Sequence, residues 1–358
     1  MKVCVVGAGA IGGMLGVKLS LSGQNVTLIA RGAHLQAIRR RGLALVMQDG
    51  SEHVARAVIT ATSSLQEAGP QDVVILAVKA HQIEPIAHEL PALFGRDTVV
   101  VTTQNGIPWW YFQKLGGEFE GHRIKAVDPK GVIAANIEAD RIIGCIAYPA
   151  AEIKEPGVIR HIEGIRYPVG ELDGTDTERV EMISDMFVKA GFKSPILSDI
   201  RSEIWLKAWG NLTFNPISAL THSTLVDICQ FPLTRHLAKM MMKEAQEIAH
   251  QLGITFRVSL EKRIAGAEKV GKHKTSMLQD VETGKAIETD ALLGAVVELG
   301  ELTGTSTPYL NAIYASVKLL AKTMEEEQLF IKGQPTYAEK DSLQVSRVDL
   351  PPVYSPPM

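Results

Sequence analysis

One lysine and two asparagines, Lys207, Asn211 and Asn215, recur every fourth residue through the otherwise apolar, tryptophan-rich run 204–220, IWLKAWGNLTFNPISAL. At about 3.6 residues per turn this spacing stacks all three on one face of a helix. Burying a cation and two amides costs free energy unless partners are supplied, so such a strip either pairs internally or holds a polar ligand. A lysine in apolar surroundings donates protons in several directions, and burial lowers its pKa toward neutrality. Those properties suit it to protonate the alkoxide that develops when a carbonyl is reduced, with the amides holding substrate oxygens. Glu203, four residues before Lys207, offers the plainer alternative of an exposed i,i+4 ion pair. Periodicity leaves both open.

Carbonyl reduction needs a hydride donor, and the amino terminus has a place for one. Val3–Val6 reads as a strand, Gly7-Ala8-Gly9-Ala10-Ile11-Gly12 matches G-x-G-x-x-G, and helical periodicity runs on from Met14 to Leu21. In that motif Gly7 permits a tight turn, Gly9 lets the backbone approach a pyrophosphate and Gly12 lets the helix pack on the strand. The helix amino terminus then faces the anion. A second strand, Asn25–Ile29, leads to Ala30-Arg31 with no acid nearby to take a ribose hydroxyl. Arg31 can accept a 2′-phosphate, which favours NADPH over NADH. Lys79 and Asn105 each follow a further apolar strand, on the edge where such sheets bind ligands. A glycine-rich turn, a surface arginine and two loop residues are the bland readings.

A further polar cluster lies in Ser276-Met277-Leu278-Gln279-Asp280 and Glu288-Thr289-Asp290. By itself it reads as helix caps, Ser276 and Asp280, and a first-turn acid, Glu288.

The elements that must position these groups divide the chain. Apolar strands at Val73–Val78 and Thr98–Thr103, separated by a helical pattern over 82–93, indicate an α/β Rossmann-type parallel sheet covered on both faces. Short strands at Ile142–Tyr148, Val158–Ile162 and Tyr167–Gly170 predict an antiparallel extension of it. After a helix at Thr177–Ala190 the chain becomes almost wholly helical: 199–220, 233–252, 258–267, 285–303 and 308–327. The expected division is a dinucleotide-binding domain at 1–195, an all-α domain at 196–330 and an extended, proline-rich tail at 331–358.

Composition narrows the class. The 358 residues are 46% hydrophobic and 22% charged, with net charge −3, so nothing draws the whole chain to nucleic acid or an anionic membrane. Three scattered cysteines and ten dispersed histidines show no metal-site spacing or disulfide framework, and a reduced cytoplasmic setting fits. The glycine-punctuated run 3–17 is too short to span a bilayer and reads as retained structure rather than a leader.

Taken together, GAGAIGG, the Arg31 strand end, AVKAHQ around Lys79, QNG around Asn105, EPGVIRH at 155–161, KAWGNLTFNPISAL and SMLQDVETGKAIETD resemble the ketopantoate reductases in the expected order, to about Leu320. The resemblance implies a Rossmann domain and a helical domain with NADPH and a small 2-keto acid, most expectedly 2-dehydropantoate, in the cleft between them. It implies Lys207 as proton donor and Glu288 as the cleft glutamate. Asn211, Asn215 and Ser276 fall on substrate positions, and Asn105 touches both cofactor and substrate. Arg31 and Lys79 fall near the adenosine phosphate, Ala151 on a backbone contact to the cofactor, and a homodimer is expected. The aromatic run Ile107-Pro108-Trp109-Trp110-Tyr111 departs from the pattern and is expected to reshape the substrate pocket. Another dehydrogenase of the same plan, acting on a different 2-keto acid, a β-hydroxyacid or an opine-type substrate, and a non-catalytic NADP(H) sensor are the competing readings.

Overall fold

The computed structural model describes residues 1–55 and 59–331; the expected tail, from 332 on, lies outside the described residues. The first part alternates strands and helices: β1 (Lys2–Val6), α1 (Ala10–Leu21), β2 (Asn25–Ile29), α2 (Gly32–Arg41), β3 (Leu43–Val46), β4 (Glu52–Ala55), β5 (Ile59–Thr62), α3 (Leu65–Ala68), β6 (Gln71–Leu76) and β7 (Phe94–Thr102). It continues through α4 (Val132–Asn136), β8 (Ile142–Cys145), β9 (Ala150–Glu155), β10 (Val158–Glu163), β11 (Val169–Glu171) and α5 (Glu178–Lys189). From there it is helical: α6 (Ile200–Thr221), α7 (Leu225–Gln230), α8 (Pro232–Gln251), α9 (Leu260–Lys269), α10 (Ser276–Glu282), a π-helical turn at Asp290–Gly294, α11 (Ala295–Thr303) and α12 (Pro308–Glu326).

Seven strands form one sheet in the order β11-β8-β7-β6-β1-β2-β5. All its pairs are parallel except β11, which runs antiparallel to β8 at the edge; of the expected antiparallel extension only Tyr167–Gly170 runs so, since Ile142–Tyr148 supplies β8, which pairs parallel to β7. The chain leaves β1 toward β2 on one side and returns to β6 on the other, so the Gly7–Gly12 loop stands at the switch point where α/β sheets bind ligands. Val158–Ile162 departs from expectation: β10 joins β3, β4 and β9 in a separate four-stranded sheet. That sheet packs on the outer face of α1, where a Cβ at Gly13 would meet the Ile159 side chain at 2.8 Å. Because α1 is covered on both sides, it is buried almost all round and lacks a polar face.

Three further differences have local causes. The segment Glu84–Leu93 is a 3₁₀ helix, not an α-helix, since Pro85 and Pro91 cannot supply the amides an α-helix needs. The expected helix from Lys285 begins only at Asp290, with the π-helical turn. Helices α7 and α10 are too short to show a period in sequence.

Helix α6 is the axis of the helical part, starting at an Asp199 cap that accepts from the Ser202 amide at 2.9 Å. Trp205 and Trp209 are fully buried on it, their indole nitrogens donating to the Tyr111 hydroxyl at 2.8 Å and the Met242 carbonyl at 2.7 Å. Truncating either to alanine costs about 3–5 kcal/mol. Trp109, Trp110 and Tyr111 are buried in this same core, and Trp110 donates to Thr102 at 3.1 Å. They anchor the segment after β7 beneath α6 as interior packing, so the expectation that they form an aromatic pocket wall is corrected.

Candidate functional site

The cradle is made by backbone. Gly7 has φ +101°, and a Cβ on Gly12 would fall 2.0 Å from the Gly7 carbonyl, so a side chain at either position breaks the turn. A Cβ on Gly9 would meet nothing within 4 Å. Open space at the one glycine meant to admit a ligand, between two that admit only protein, fits a dinucleotide pyrophosphate at the start of α1. Ala8, Ala10 and Ile11 complete the loop, with the Gly7 and Ala8 amides tied to the Ile29 carbonyl. Arg31, at the entry to α2, is exposed and makes no side-chain hydrogen bond or ion pair among the described residues. Ala151 lies on β9, in the sheet that covers α1, paired with His161. Beside Arg31, His34 accepts the Gly157 amide at 3.0 Å through Nδ1, and its buried Nε2 has no hydrogen-bond partner among the described residues.

The strip on α6 faces the carboxyl ends of the same strands. Lys207 Nζ donates to Asn105 Oδ1 at 2.6 Å and also to the Ala147 carbonyl. Burial, working against the pull of the Glu288 carboxylate, brings the Lys207 pKa down to about 8. Asn105 Nδ2 lies 3.3 Å from Glu288 Oε2, while Glu288 Oε1 accepts the Ala80 amide at 3.2 Å. Lys207, Asn105 and Glu288 therefore form one hydrogen-bonded chain. Asn215 donates to Ser276 Oγ at 3.4 Å, and Asn211, half-buried, makes no side-chain hydrogen bond among the described residues.

Neither Ser276 nor Asp280 caps its helix. Thr275 does, accepting from the Leu278 amide at 3.2 Å, which leaves Ser276 facing Asn215. Asp280 pairs with Lys79 at 2.5 Å, and Lys79 also donates to the Ala286 carbonyl at 2.8 Å. Lys79 thus spans from the end of β6 to α10. Nearby, Gly106 has φ +84°, and a Cβ there would stand 2.1 Å from the Ala291 carbonyl, which accepts the Ile107 amide at 2.9 Å. The loop carrying Asn105 is seated on the π-helical turn through this contact.

Glu203 does not pair with Lys207. Its side chain is 1% exposed and is met by Arg257 at 2.6 Å, Arg166 at 2.5 Å and the Tyr148 hydroxyl at 2.6 Å. Burial alone would raise this carboxyl; the donors from Arg257, Tyr148 and Arg166 outweigh it and hold the pKa at about 2. The Tyr148 ring also lies 5.9 Å from Lys207 Nζ. Sequence reasoning missed Tyr148, and it missed Asp280 as the partner of Lys79; neither carries a local signal, because Lys79 and Asp280 are 201 residues apart.

A Rossmann sheet with a G-x-G-x-x-G turn at its switch point, facing a helical part that brings a lysine to the strand ends, defines an NAD(P)-dependent oxidoreductase. The chain belongs to the ketopantoate reductase family: the family model described as "Ketopantoate reductase PanE/ApbA" matches residues 3–174, and its C-terminal counterpart matches 199–321. A 2-dehydropantoate 2-reductase of Mesorhizobium japonicum is 50% identical over 322 residues, covering 90% of this chain and 98% of that protein. One from Pyrococcus horikoshii is 32% identical, covering 89% and 97%. A crystal structure from Ralstonia solanacearum, described as a candidate ketopantoate reductase, superimposes with TM-score 0.85 at 39% identity, covering 90% of this chain and 98% of that one.

Proposed function

We propose that the chain is an NADPH-dependent reductase that converts 2-dehydropantoate to pantoate, with Lys207 as proton donor. The observation that carries this reading is the direction of Lys207: it turns inward to Asn105 and the Ala147 carbonyl at the strand ends, not to solvent beside Glu203. The dinucleotide, held by Gly7–Gly12 with Arg31 on its 2′-phosphate, would supply hydride to the keto carbon. The protein's part is then to hold the keto acid and deliver one proton. Lys207 donates a hydrogen bond and then the proton to the keto oxygen, while Asn105 and Glu288 fix the ammonium and polarise it through the chain they form. Asn211, Asn215 and Ser276 orient the carboxylate and hydroxyl, which matters because hydride transfer requires near-contact alignment. Lys79, paired to Asp280, and Ala151, beside α1, support the cofactor side of this cleft.

The same reading divides the chain into a dinucleotide-binding domain at 1–195 and a helical domain at 196–330. The last bridge to the sheet side pairs Val169 with Ile196, and helices follow from Ile200. It also includes a homodimer through the helical domain, where Phe231, Leu233 and Leu319 are exposed. No helix among the described residues is long and apolar enough to cross a membrane, in keeping with a reductase acting in the cytoplasm. The test is NADPH oxidation by purified protein against a panel of 2-keto acids. Turnover with 2-dehydropantoate above the others is expected, and none with any member of the panel would overturn the assignment.

A further inference from the structure

One arginine lies beside the α6 strip and has no use in the structure as described. Arg263, on α9, brings the Nη2 end of its guanidinium against the backbone of α6 at Gly210. A Cβ built on Gly210 would stand 2.0 Å from Nη2, 2.8 Å from Cζ and 3.3 Å from Nε. Gly210 precedes Asn211 and follows Lys207 by three residues, so the guanidinium sits next to the face that carries both. It is shielded enough that burial pulls its pKa down, and the Tyr148 phenol is the group that counters this. Yet its side chain makes no hydrogen bond and no ion pair among the described residues.

The neighbouring arginines differ. Arg166 and Arg257 share the Glu203 carboxylate, so that acid is already occupied and leaves nothing for a third cation. A guanidinium carries five donors in a planar fork, and Arg263, half-buried, keeps its fork open to the cleft with none of them taken by a protein partner among the described residues. That fork matches a carboxylate bidentately. In sequence Arg263 gives no hint of this, because LEKRIAGAEK reads as an amphipathic helix with a charged outer face.

We infer that Arg263 is a carboxylate-binding, specificity-determining residue of the substrate cleft, and that Gly210 is glycine so that the guanidinium can lie against α6 beside Lys207. This rests on the 2-keto acid reductase reading and extends it. The keto group meets Lys207 while the carboxylate one carbon away is clamped by Arg263, with Asn211 between them on the helix. The clamp selects acids over the corresponding amides or esters.

The experiment compares wild type with Arg263→Met, Arg263→Lys and Gly210→Ala, using 2-dehydropantoate and its carboxamide as substrates, NADPH as donor, and a melting curve for each protein. Losing a charge-assisted pair predicts KM for the acid rising roughly 10- to 100-fold in Arg263→Met, with a smaller change in kcat. The carboxamide should lose little, so discrimination between acid and amide collapses. Tm should hold or rise, because an unpaired shielded cation has been removed. Gly210→Ala keeps the charge but pushes it aside, and should reproduce the KM effect; Arg263→Lys should fall between. If both Gly210→Ala and Arg263→Lys keep the wild-type KM and acid preference, or if Arg263→Met weakens acid and amide equally, the inference is overturned. If wild type itself turns over neither substrate, the reductase reading fails first and this inference falls with it.

Discussion

In the cradle, six consecutive residues do the work and the decisive contacts are backbone: the Gly7 turn, the Gly12 approach and the open space at Gly9. At the strip, Lys207 meets a side chain from the end of β7 and a carbonyl from beyond β8, while Asn215 meets the start of α10. The first is built almost wholly within one βαβ unit, with only Ala77 and Val78 after β6 closing on Gly7 and Gly12 from outside it. The second exists only because α6 lies across the strand ends. A substitution in the cradle should therefore act through space and conformation, and one in the strip through charge and hydrogen bonding.

The sharpest way to break that contrast is Lys207→Ala. It should lower kcat about 10²- to 10⁴-fold, the usual contribution of a general acid, while leaving NADPH binding and Tm near wild type. Turnover within a few-fold of wild type would end the role given to Lys207. The pH profile tests the same residue without mutation. Lys207 must be protonated to donate, and its pKa lies at about 8, so kcat for reduction should be flat below that pH and decline above it. A profile still flat at pH 10 would place the proton elsewhere.

Arg31→Ala comes next. It should weaken NADPH roughly 10- to 100-fold and leave NADH unchanged, since only the former carries the 2′-phosphate. Equal losses for both cofactors would show that Arg31 has another task.

The smallest but most discriminating comparison is between two glycines. Gly12→Ala should destabilise the fold by about 1–3 kcal/mol, because its Cβ has no room beside the Gly7 carbonyl. Gly9→Ala should leave Tm unchanged and raise the Kd for the dinucleotide. If Gly9→Ala lowers Tm as well, the open space there is structural rather than a ligand's.

Much of this was legible before the fold was known. The cradle, the strand-end placement of Arg31, Lys79 and Asn105, and the shared face of Lys207, Asn211 and Asn215 follow from motif and period, which are short-range properties of a chain. The partnerships were not. Glu203 and Lys207 stand at a spacing that reads as an ion pair, but α6 turns Glu203 into Arg166, Arg257 and Tyr148 and leaves Lys207 to Asn105. Asp280 reads as a cap and is instead the partner of Lys79. The Trp109-Trp110 pair reads as a pocket wall and is core. Strand Val158–Ile162 reads as part of the main sheet and instead lies in the separate sheet that covers the far side of α1.

The sequence by itself determined where the chain turns tightly, which face of α6 is polar, and that a glycine-rich turn opens α1. These depend on backbone sterics and on a repeat of a few residues. Only the tertiary structure decided which charges meet, which stay unpaired and which aromatic rings are buried. Those outcomes depend on packing between segments up to about two hundred residues apart, as with Lys79 and Asp280. No local pattern encodes such contacts.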